Sequence, residues 1–192
     1  MRHVTIDVSQ TQLAGNFRAG QSFGVLAPGT DARGRPHALR LYSIASPTAG
    51  EDGQGKILAT TVKRLIDEHN ETGKLFLGVA SNYLCDLKPG DTVQVTAPNG
   101  KRFILPTAPE QHDYVFVATG TGVAPFRGML ADLLADRRAA GSRITLIMGS
   151  PYASDLLYDR HFRELASRHS NFSYITAISR EKVDDAPKPL YV

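Results

Sequence analysis

Apolar and polar residues alternate in several short runs through the first half of the chain. The runs lie at residues 4–8, 21–26, 40–46, 56–64, 92–96 and 101–105. Alternation with a period of two is typical of strands that bury one face. Short strands at this spacing predict a small antiparallel Greek-key β-barrel. Within it, Asn99-Gly100 predicts a hairpin turn into residues 101–105, and residues 67–74 are expected to form a polar turn.

The pattern changes after Pro106-Thr107-Ala108-Pro109. Mainly apolar runs lie at residues 114–118, 143–148 and 172–178, and helical periodicity lies between them at residues 126–138 and 155–168. Consecutive apolar residues are typical of buried parallel strands, and strands that alternate with helices predict a parallel sheet with right-handed crossovers. We therefore expect two domains, a β-barrel over residues 1–108 and an α/β domain over residues 109–192.

Composition narrows the possible functions. The 192 residues carry a net charge of +3, without the dense basic stripe of a nucleic-acid-binding protein. This modest positive charge suits an acidic protein partner or a phosphorylated ligand. No apolar run reaches membrane-spanning length, and the histidines lack metal-ligand spacing, so neither a membrane protein nor a metal site is predicted. Cys85 is the only cysteine and is expected to be buried, which fits a reducing compartment and a cytoplasmic location.

Two segments of the first domain carry residues that suit nucleotide binding. In an extended Arg40-Leu41-Tyr42-Ser43, the side chains of Arg40 and Tyr42 share one face. A guanidinium binds phosphate oxygens, and an aromatic ring offers a stacking surface, although ordinary surface residues are the alternative. In the second segment, Ser81 or Asn82 is predicted to cap a short helix. The N-terminus of that helix either binds phosphate or belongs to a simple connector.

The second domain has a glycine turn where parallel sheets bind ligands. Gly120-Thr121-Gly122 follows a predicted strand and precedes a predicted helix, so the backbone could approach a pyrophosphate closely. Gly149-Ser150-Pro151 ends the second predicted strand, where an acidic residue would indicate NAD. Ser179-Arg180 ends the third and offers a hydroxyl and a guanidinium, which suit the 2′-phosphate of NADP, although these two residues taken alone favour an exposed turn.

Taken together, these segments resemble the plant-type branch of the ferredoxin–NADP(+) reductase family. The similarity extends over nearly the whole chain and lies at residues 39–46, 62–65, 81–90, 120–127, 156–158 and 179–181. It implies a flavoprotein, an FAD-dependent oxidoreductase that transfers electrons between NADPH and a one-electron carrier such as ferredoxin or an acidic, flavodoxin-like protein. In this family, NADPH gives a hydride to the flavin, which then releases single electrons.

The resemblance also implies a role for each matching residue. Tyr42 and Ser43 would be the catalytic residues, Tyr42 by stacking on the flavin and Ser43 by lying near its N5 atom. Thr121 would lie where nicotinamide and flavin meet, and Tyr191 would stack on the adenine of NADP. The complete cofactor-binding set is Arg40, Leu41, Tyr42, Ser43, Thr61, Val62, Lys63, Val79, Ala80, Ser81, Thr121, Ser150, Pro151, Ser179, Arg180 and Tyr191.

The family pattern continues beyond Val192. The resemblance therefore implies a truncated chain with a C-terminally incomplete NADP-binding domain. Two other functions stay open at this point. One is the reductase component of a multicomponent oxygenase of the benzoyl-CoA oxygenase type, and the other is a flavin- or nucleotide-binding module with weak catalysis.

Overall fold

The computed structural model describes residues 1–96 and 98–181 of the chain. It divides the chain into two compact units, of which the first ends at Ile104 and the second begins at Leu105. Tyr191 lies outside the described residues. Among those that are described, no helix is both long and apolar enough to cross a membrane.

Antiparallel strands and one helix build the first unit. The strands are β1 (Arg2–Asp7), β2 (Ser22–Leu26), β3 (Arg40–Ser43), β4 (Ile57–Val62), β5 (Ile66–Glu68), β6 (Leu75–Leu77) and β7 (Gln94–Val95), and the helix is α1 (Val79–Asp86). Strand β1 pairs with β4, β2 lies between β3 and β7, and β5 pairs with β6. The polar segment between residues 67 and 74 is thus part of a hairpin with two short strands, which the sequence pattern did not predict.

These strands form three separate sheets, and no closed barrel is seen among the described residues. A single bridge between Ile44 and Thr60 connects the end of β3 with β4. The hairpin predicted at Asn99-Gly100 is wrong. Asn99 instead exchanges backbone hydrogen bonds with Ser22, and residues 101–104 form bends in place of a strand. A turn motif predicts only the local conformation, whereas here Asn99 pairs with Ser22 on the edge of a strand that is distant in the sequence.

One apolar core stabilises the first unit. The largest fully buried side chains include those of Phe17, Phe23, Ile44, Leu58 and Leu84. Each contributes about 1.5–3 kcal/mol by leaving water. Cys85 belongs to the same cluster, which confirms the expectation of a buried cysteine.

The second unit is an α/β structure, as predicted. Its parallel sheet contains β8 (Tyr114–Thr119), β9 (Ile144–Ser150) and β10 (Phe172–Ile178), with β9 in the middle. Its helices are α2 (Ala124–Ala135) and α3 (Asp159–Arg168). The start of α3 lies later than predicted, because a short 3-10 turn at Ala153–Asp155 and the left-handed backbone of Tyr158, with φ of 59°, precede it.

One face of this sheet carries exposed apolar side chains among the described residues. Val115 and Val117 on β8 are 67% and 51% exposed, although the apolar run predicted a strand buried on both faces. Val117 is in register with Ile147, and Ile147 is in register with the exposed Ile175. Tyr114, Phe116 and Ala118 face the core on the other side. A run of apolar residues does not show how many of its faces have a partner.

Candidate functional site

Strand β3 contains the segment that the sequence analysis assigned to nucleotide binding. Arg40 and Leu41 are exposed, whereas Tyr42 and Ser43 are half-buried. Tyr42 lies opposite Phe23 of β2, and the carbonyl oxygen of Ser43 accepts a hydrogen bond from the Thr60 hydroxyl at 2.8 Å. Because β3 is extended and paired, Arg40 and Tyr42 share one face, as the alternation predicts.

Tyr42 links this strand to helix α1. Its ring packs against the core cluster that contains Cys85. Burial raises the pKa of the Tyr42 phenol, Cys85 raises it further, and the neighbouring Arg40 lowers it. The phenol is therefore neutral at physiological pH. Arg40, Tyr42 and α1 thus lie in one part of the first unit.

The end of β4 contributes side chains of two kinds. Thr61 and Val62 are buried, and Val62 is part of the core cluster. Lys63, the next residue, is exposed. A ligand would therefore reach Thr61 and Val62 mainly through their backbone, and Lys63 through its ammonium group.

Helix α1 begins without a side-chain cap. The helix follows Gly78, so the predicted capping role of Ser81 or Asn82 is wrong. The Ser81 hydroxyl instead donates to the Gly78 carbonyl and accepts from the Leu65 amide, both at 3.1 Å. The first turn contains no acidic residue either. Its amide groups and the positive end of the helix dipole are therefore not used by a cap or an acidic side chain of that turn.

A group of polar contacts fixes the start of α1, and we call it the α1 clamp: Arg64, Leu65, Gly78, Ser81, Asn82 and Asp86. The Asn82 amide donates to the carbonyl oxygens of Leu65 and Gly78 at 2.9 and 2.8 Å. The Arg64 guanidinium donates to Asn82 Oδ1 at 2.8 Å and forms an ion pair with Asp86. The hydrogen bonds that Arg64 donates to the Asp86 carboxylate hold the pKa of that carboxyl below its usual value.

Sequence reasoning missed the clamp. Arg64 was part of a matching motif without an assigned role, and Asn82 was considered only as a helix cap. The only available signal was that Arg64 and Asn82 directly follow Lys63 and Ser81 in the sequence. A contact across 18 positions cannot be read from local periodicity.

In the second unit, the predicted site residues lie at the carboxyl ends of the parallel strands. Strand β8 leads into a 3-10 turn at Gly120–Val123, in which Gly120 has a positive φ of 51° and Thr121 is half-buried. Helix α2 then begins without a side-chain cap and has a proline in its first turn. A turn whose glycine has a left-handed backbone conformation thus precedes a helix N-terminus without a side-chain cap. Phosphate-binding turns have this arrangement.

The ends of β9 and β10 bring two predicted pairs side by side. The Ser179 amide donates to the Ser150 carbonyl at 3.1 Å, and the Arg180 amide donates to the Pro151 carbonyl at 2.9 Å. The side chain of Arg180 is exposed and that of Ser179 is half-buried. Ser150 itself is 7% exposed. The two pairs, which are 29 positions apart in the sequence, therefore form one continuous edge.

Arg127 and Tyr158 form a contact that the sequence did not indicate. The Arg127 guanidinium, in the first half of α2, lies over the Tyr158 ring at 5.3 Å from its centroid. Such a cation–π contact helps to fix the segment before α3. No cluster of three or more histidine, cysteine or acidic side chains suited to a metal ion occurs in residues 1–96 or 98–181.

The parallel sheet and the turn at its carboxyl edge define the second unit as a nucleotide-binding α/β domain. In agreement, residues 116–192 match the model of the oxidoreductase NAD-binding domain family. The chain is 41% identical over 180 residues to a chloroplastic ferredoxin–NADP reductase, leaf isozyme 1, of Oryza sativa subsp. indica, covering 92% of this chain and 49% of that protein. It is 38% identical over 196 residues to a ferredoxin–NADP reductase of Spirulina sp., covering 100% of this chain and 66% of that protein. The chain belongs to the ferredoxin–NADP reductase family.

Solved structures agree on the fold. A ferredoxin–NADP+ reductase from Plasmodium falciparum superposes with a TM-score of 0.74 at 23% identity, covering 95% of this chain and 64% of that one. A cytochrome P450 reductase from Amycolatopsis has a TM-score of 0.74 at 30% identity, covering 98% of this chain and 50% of that one. The chain spans about half the length of most of the curated relatives that it matches.

Proposed function

We propose that this chain binds FAD and NADPH and transfers electrons between NADPH and a one-electron carrier, as part of a ferredoxin–NADP reductase. One observation carries the proposal. Arg40 and Tyr42 share one face of β3, Tyr42 packs beside Cys85 of α1, and the first turn of that helix has no side-chain cap, so the first unit offers a cation, an aromatic ring and uncapped amide groups to a flavin dinucleotide. The relatives named above supply the identity of the carrier, ferredoxin.

The residues present in the first unit fit FAD. The exposed Arg40 guanidinium would bind the diphosphate, together with the backbone amides of Val79, Ala80 and Ser81 in the first turn of α1. Ala80 is buried, so it would act through its amide alone. Tyr42 would hold the isoalloxazine ring by stacking on it, and Ser43 would place a hydroxyl at its reacting edge. When bound, FAD supplies the hydride and single-electron chemistry.

Leu41, Thr61, Val62 and Lys63 would complete the wall around the flavin. Lys63 would contribute the charge, since it is the exposed member at the end of β4. Leu41 is 58% exposed on the other face of β3, so its contribution would be apolar contact at the margin.

The second unit would hold the NADPH. Thr121 would contact the nicotinamide half, and Ser150 and Pro151 would lie along the diphosphate. Ser179 and Arg180 would bind the 2′-phosphate, because they offer a hydroxyl and a guanidinium on the edge beside Ser150. Tyr191 would stack on the adenine, although it lies outside the described residues.

The finer organisation belongs to the same proposal. We assign residues 1–108 to a Greek-key barrel that binds FAD and residues 109–192 to the NADP-binding domain. The bridge between Ile44 and Thr60 supports the barrel, because it joins the edge of one sheet to another. The net charge of +3 supports an acidic carrier, and we place the protein in the cytoplasm, whereas the plant relatives are named chloroplastic.

Flavin binding and reduction test the proposal. We expect the purified chain to acquire the yellow absorbance of bound flavin when FAD is added, and NADPH to bleach that absorbance under anaerobic conditions. Arg40→Ala should weaken FAD binding about tenfold, because one charge-assisted phosphate contact is lost. Arg35→Ala is the matched control, since Arg35 is ion-paired with Asp31 in a loop and should not affect binding.

A chain that is colourless once the excess FAD has been removed contradicts the proposal. If flavin binds but NADPH never bleaches it, the chain is a flavin-binding module without hydride transfer.

A second candidate is the reductase component of an oxygenase. The similarity to the cytochrome P450 reductase of Amycolatopsis, at 30% identity, favours it. The two candidates differ only in the acceptor. The flavin-loaded chain, once reduced by NADPH, should reduce ferredoxin under the first proposal, and a cytochrome P450 or an oxygenase component in preference to ferredoxin under the second.

A further inference from the structure

The side-chain amide of Asn82 is held on both of its sides. Its nitrogen donates to the carbonyl oxygens of Leu65 and Gly78 at 2.9 and 2.8 Å, and its oxygen accepts from the Arg64 guanidinium at 2.8 Å. A guanidinium only donates hydrogen bonds, so an amide rotated by half a turn would point its own N–H groups at Arg64 and its oxygen at the two carbonyls. Arg64 therefore fixes which end of the amide faces Gly78.

Three donors converge on the carbonyl oxygen of Gly78. They are the backbone amide of Asn82 at 3.0 Å, the Asn82 side chain at 2.8 Å and the Ser81 hydroxyl at 3.1 Å. The first is the ordinary hydrogen bond of a helix, and the other two are additional. Because a glycine backbone has more conformational freedom than any other, these hydrogen bonds are what holds the peptide unit between Gly78 and Val79 in one orientation.

That peptide unit carries the first amide of α1. In a planar trans peptide, the carbonyl oxygen and the N–H of the next residue point in opposite directions. The Gly78 oxygen points into the helix toward the Asn82 amide, so the Val79 N–H points out of the helix N-terminus. The first amides of a helix have no partner within it. Holding the Gly78 oxygen therefore also aims the Val79 amide.

We propose that Arg64 is a positioning residue for FAD, which acts through Asn82 and the Gly78 carbonyl to aim the Val79 amide at the diphosphate. The inference rests on the proposed function, in which the diphosphate lies at the first turn of α1. The ion pair with Asp86, four residues after Asn82 on the same face of the helix, holds the guanidinium along α1. The hydrogen bond to Asn82 transmits the effect to the first turn.

Two flavins, one with a diphosphate and one without, test this role. FAD carries the diphosphate, riboflavin has the same ring system and no phosphate, and fluorescence titration measures the affinity of each. Arg64→Ala should weaken FAD binding about three- to tenfold and leave riboflavin binding unchanged, because Asn82 loses the contact that fixes its orientation. Arg143→Ala is the matched control and should change neither affinity, since Arg143 likewise donates two side-chain hydrogen bonds to an aspartate, Asp113, in the second unit.

Two further variants separate the contacts of Arg64. Asp86→Asn removes the ion pair and leaves the hydrogen bond to Asn82, so its loss of FAD affinity should be smaller than that of Arg64→Ala. Asn82→Ala should weaken FAD binding at least as much as Arg64→Ala. The double variant of Arg64 and Asn82 should bind FAD no more weakly than Asn82→Ala alone, because both residues act through one contact.

Four results overturn the inference. Arg64→Ala binds FAD as tightly as the unchanged chain, it loses FAD and riboflavin equally, Asp86→Asn loses as much as Arg64→Ala, or the losses of the double variant add. If riboflavin binds too weakly to measure, the absorbance of Arg64→Ala at saturating FAD decides. Unchanged band positions support a role at the diphosphate, and shifted bands contradict it. An unchanged chain that binds no FAD instead overturns the proposed function, and this inference with it.

Discussion

The two residues that follow β10 carry the proposed choice between two nicotinamide cofactors. Ser179 and Arg180 present a hydroxyl and a guanidinium, and backbone hydrogen bonds to Ser150 and Pro151 hold both in place. The Arg180 side chain is exposed, so a phosphate could reach it without displacing protein groups. Their residue types were readable from the sequence, whereas their place beside Ser150 depends on the parallel register of β9 and β10.

Replacing Arg180 should therefore change cofactor preference. We expect Arg180→Ala to weaken NADPH binding about tenfold and to leave NADH binding unchanged, because only NADPH carries the 2′-phosphate. Calorimetric titration with both cofactors measures this. Arg168→Ala is the control, since Arg168 is an exposed arginine in the last turn of α3. Equal loss of NADH affinity in Arg180→Ala would show that Arg180 does not read the 2′-phosphate.

Helix α1 is present as predicted, but the side-chain cap predicted for it is not. The pattern of residues predicted a short helix with a serine or asparagine cap. The structure has the helix, but both side chains are turned to Leu65 and Gly78 and fix the hairpin instead. The N-terminal amides are thereby left without a side-chain cap, which is the arrangement that an anion needs.

The close approach of Gly78 makes the clamp sensitive to a single methyl group. We expect Gly78→Ala to lower the free energy of unfolding by about 1–3 kcal/mol, since the new Cβ would lie 2.8 Å from Leu65 Cβ and from Ser81 Oγ. FAD binding should weaken as well, because the start of α1 would shift. Urea denaturation and flavin titration measure the two effects.

Gly141→Ala is the control for this change. A Cβ at Gly141 meets nothing within 4 Å, so the substitution should leave both measurements nearly unaltered. A Gly78→Ala variant as stable as the unchanged chain would mean that the hairpin is free to move.

At the scale of the whole molecule, charge couples stability to pH. Hydrogen bonds hold the pKa of several exposed carboxyls below their ordinary values of 3.8 for aspartate and 4.5 for glutamate, namely those of Asp7, Asp31, Asp86, Asp113, Asp136 and Glu164. Burial raises the pKa of the phenols of Tyr42 and Tyr114 above 10.0. Carboxyl groups and tyrosines therefore act at opposite ends of the pH range.

The sign of both effects follows from proton binding. A lowered carboxyl pKa stabilises the folded chain fully above the unfolded value, and the contribution is lost as pH falls through the folded value. A raised tyrosine pKa stabilises it below the unfolded value, and the contribution is lost as pH rises through the folded value. We expect the urea midpoint to be constant between about pH 5 and 9 and to fall on either side.

Salt supplies the control for the acid side. The carboxyls are exposed, so their ion pairs are screened and the acid decrease should be smaller at high salt. A midpoint that does not change from neutral pH down to about pH 3 contradicts the assignment of these hydrogen bonds.

The sequence by itself determined the parallel α/β unit and the identity of most candidate site residues. Strands at 172–178 and near 114 and 144 were predicted nearly to the residue, because alternation with helices is a local signal. The residue types at Arg40-Leu41-Tyr42-Ser43 and at Ser179-Arg180 were likewise informative, since their chemistry suits phosphate and aromatic ligands wherever they lie.

Only the tertiary structure decided which of these residues meet. Asn99 pairs with Ser22 and not with its neighbours, and Arg64 binds Asn82, because strand edges and side-chain donors choose partners by distance in space. The exposed Val115 and Val117 show the same limit, since burial depends on what packs against a face. The α1 clamp arises from such contacts, which no local pattern specifies.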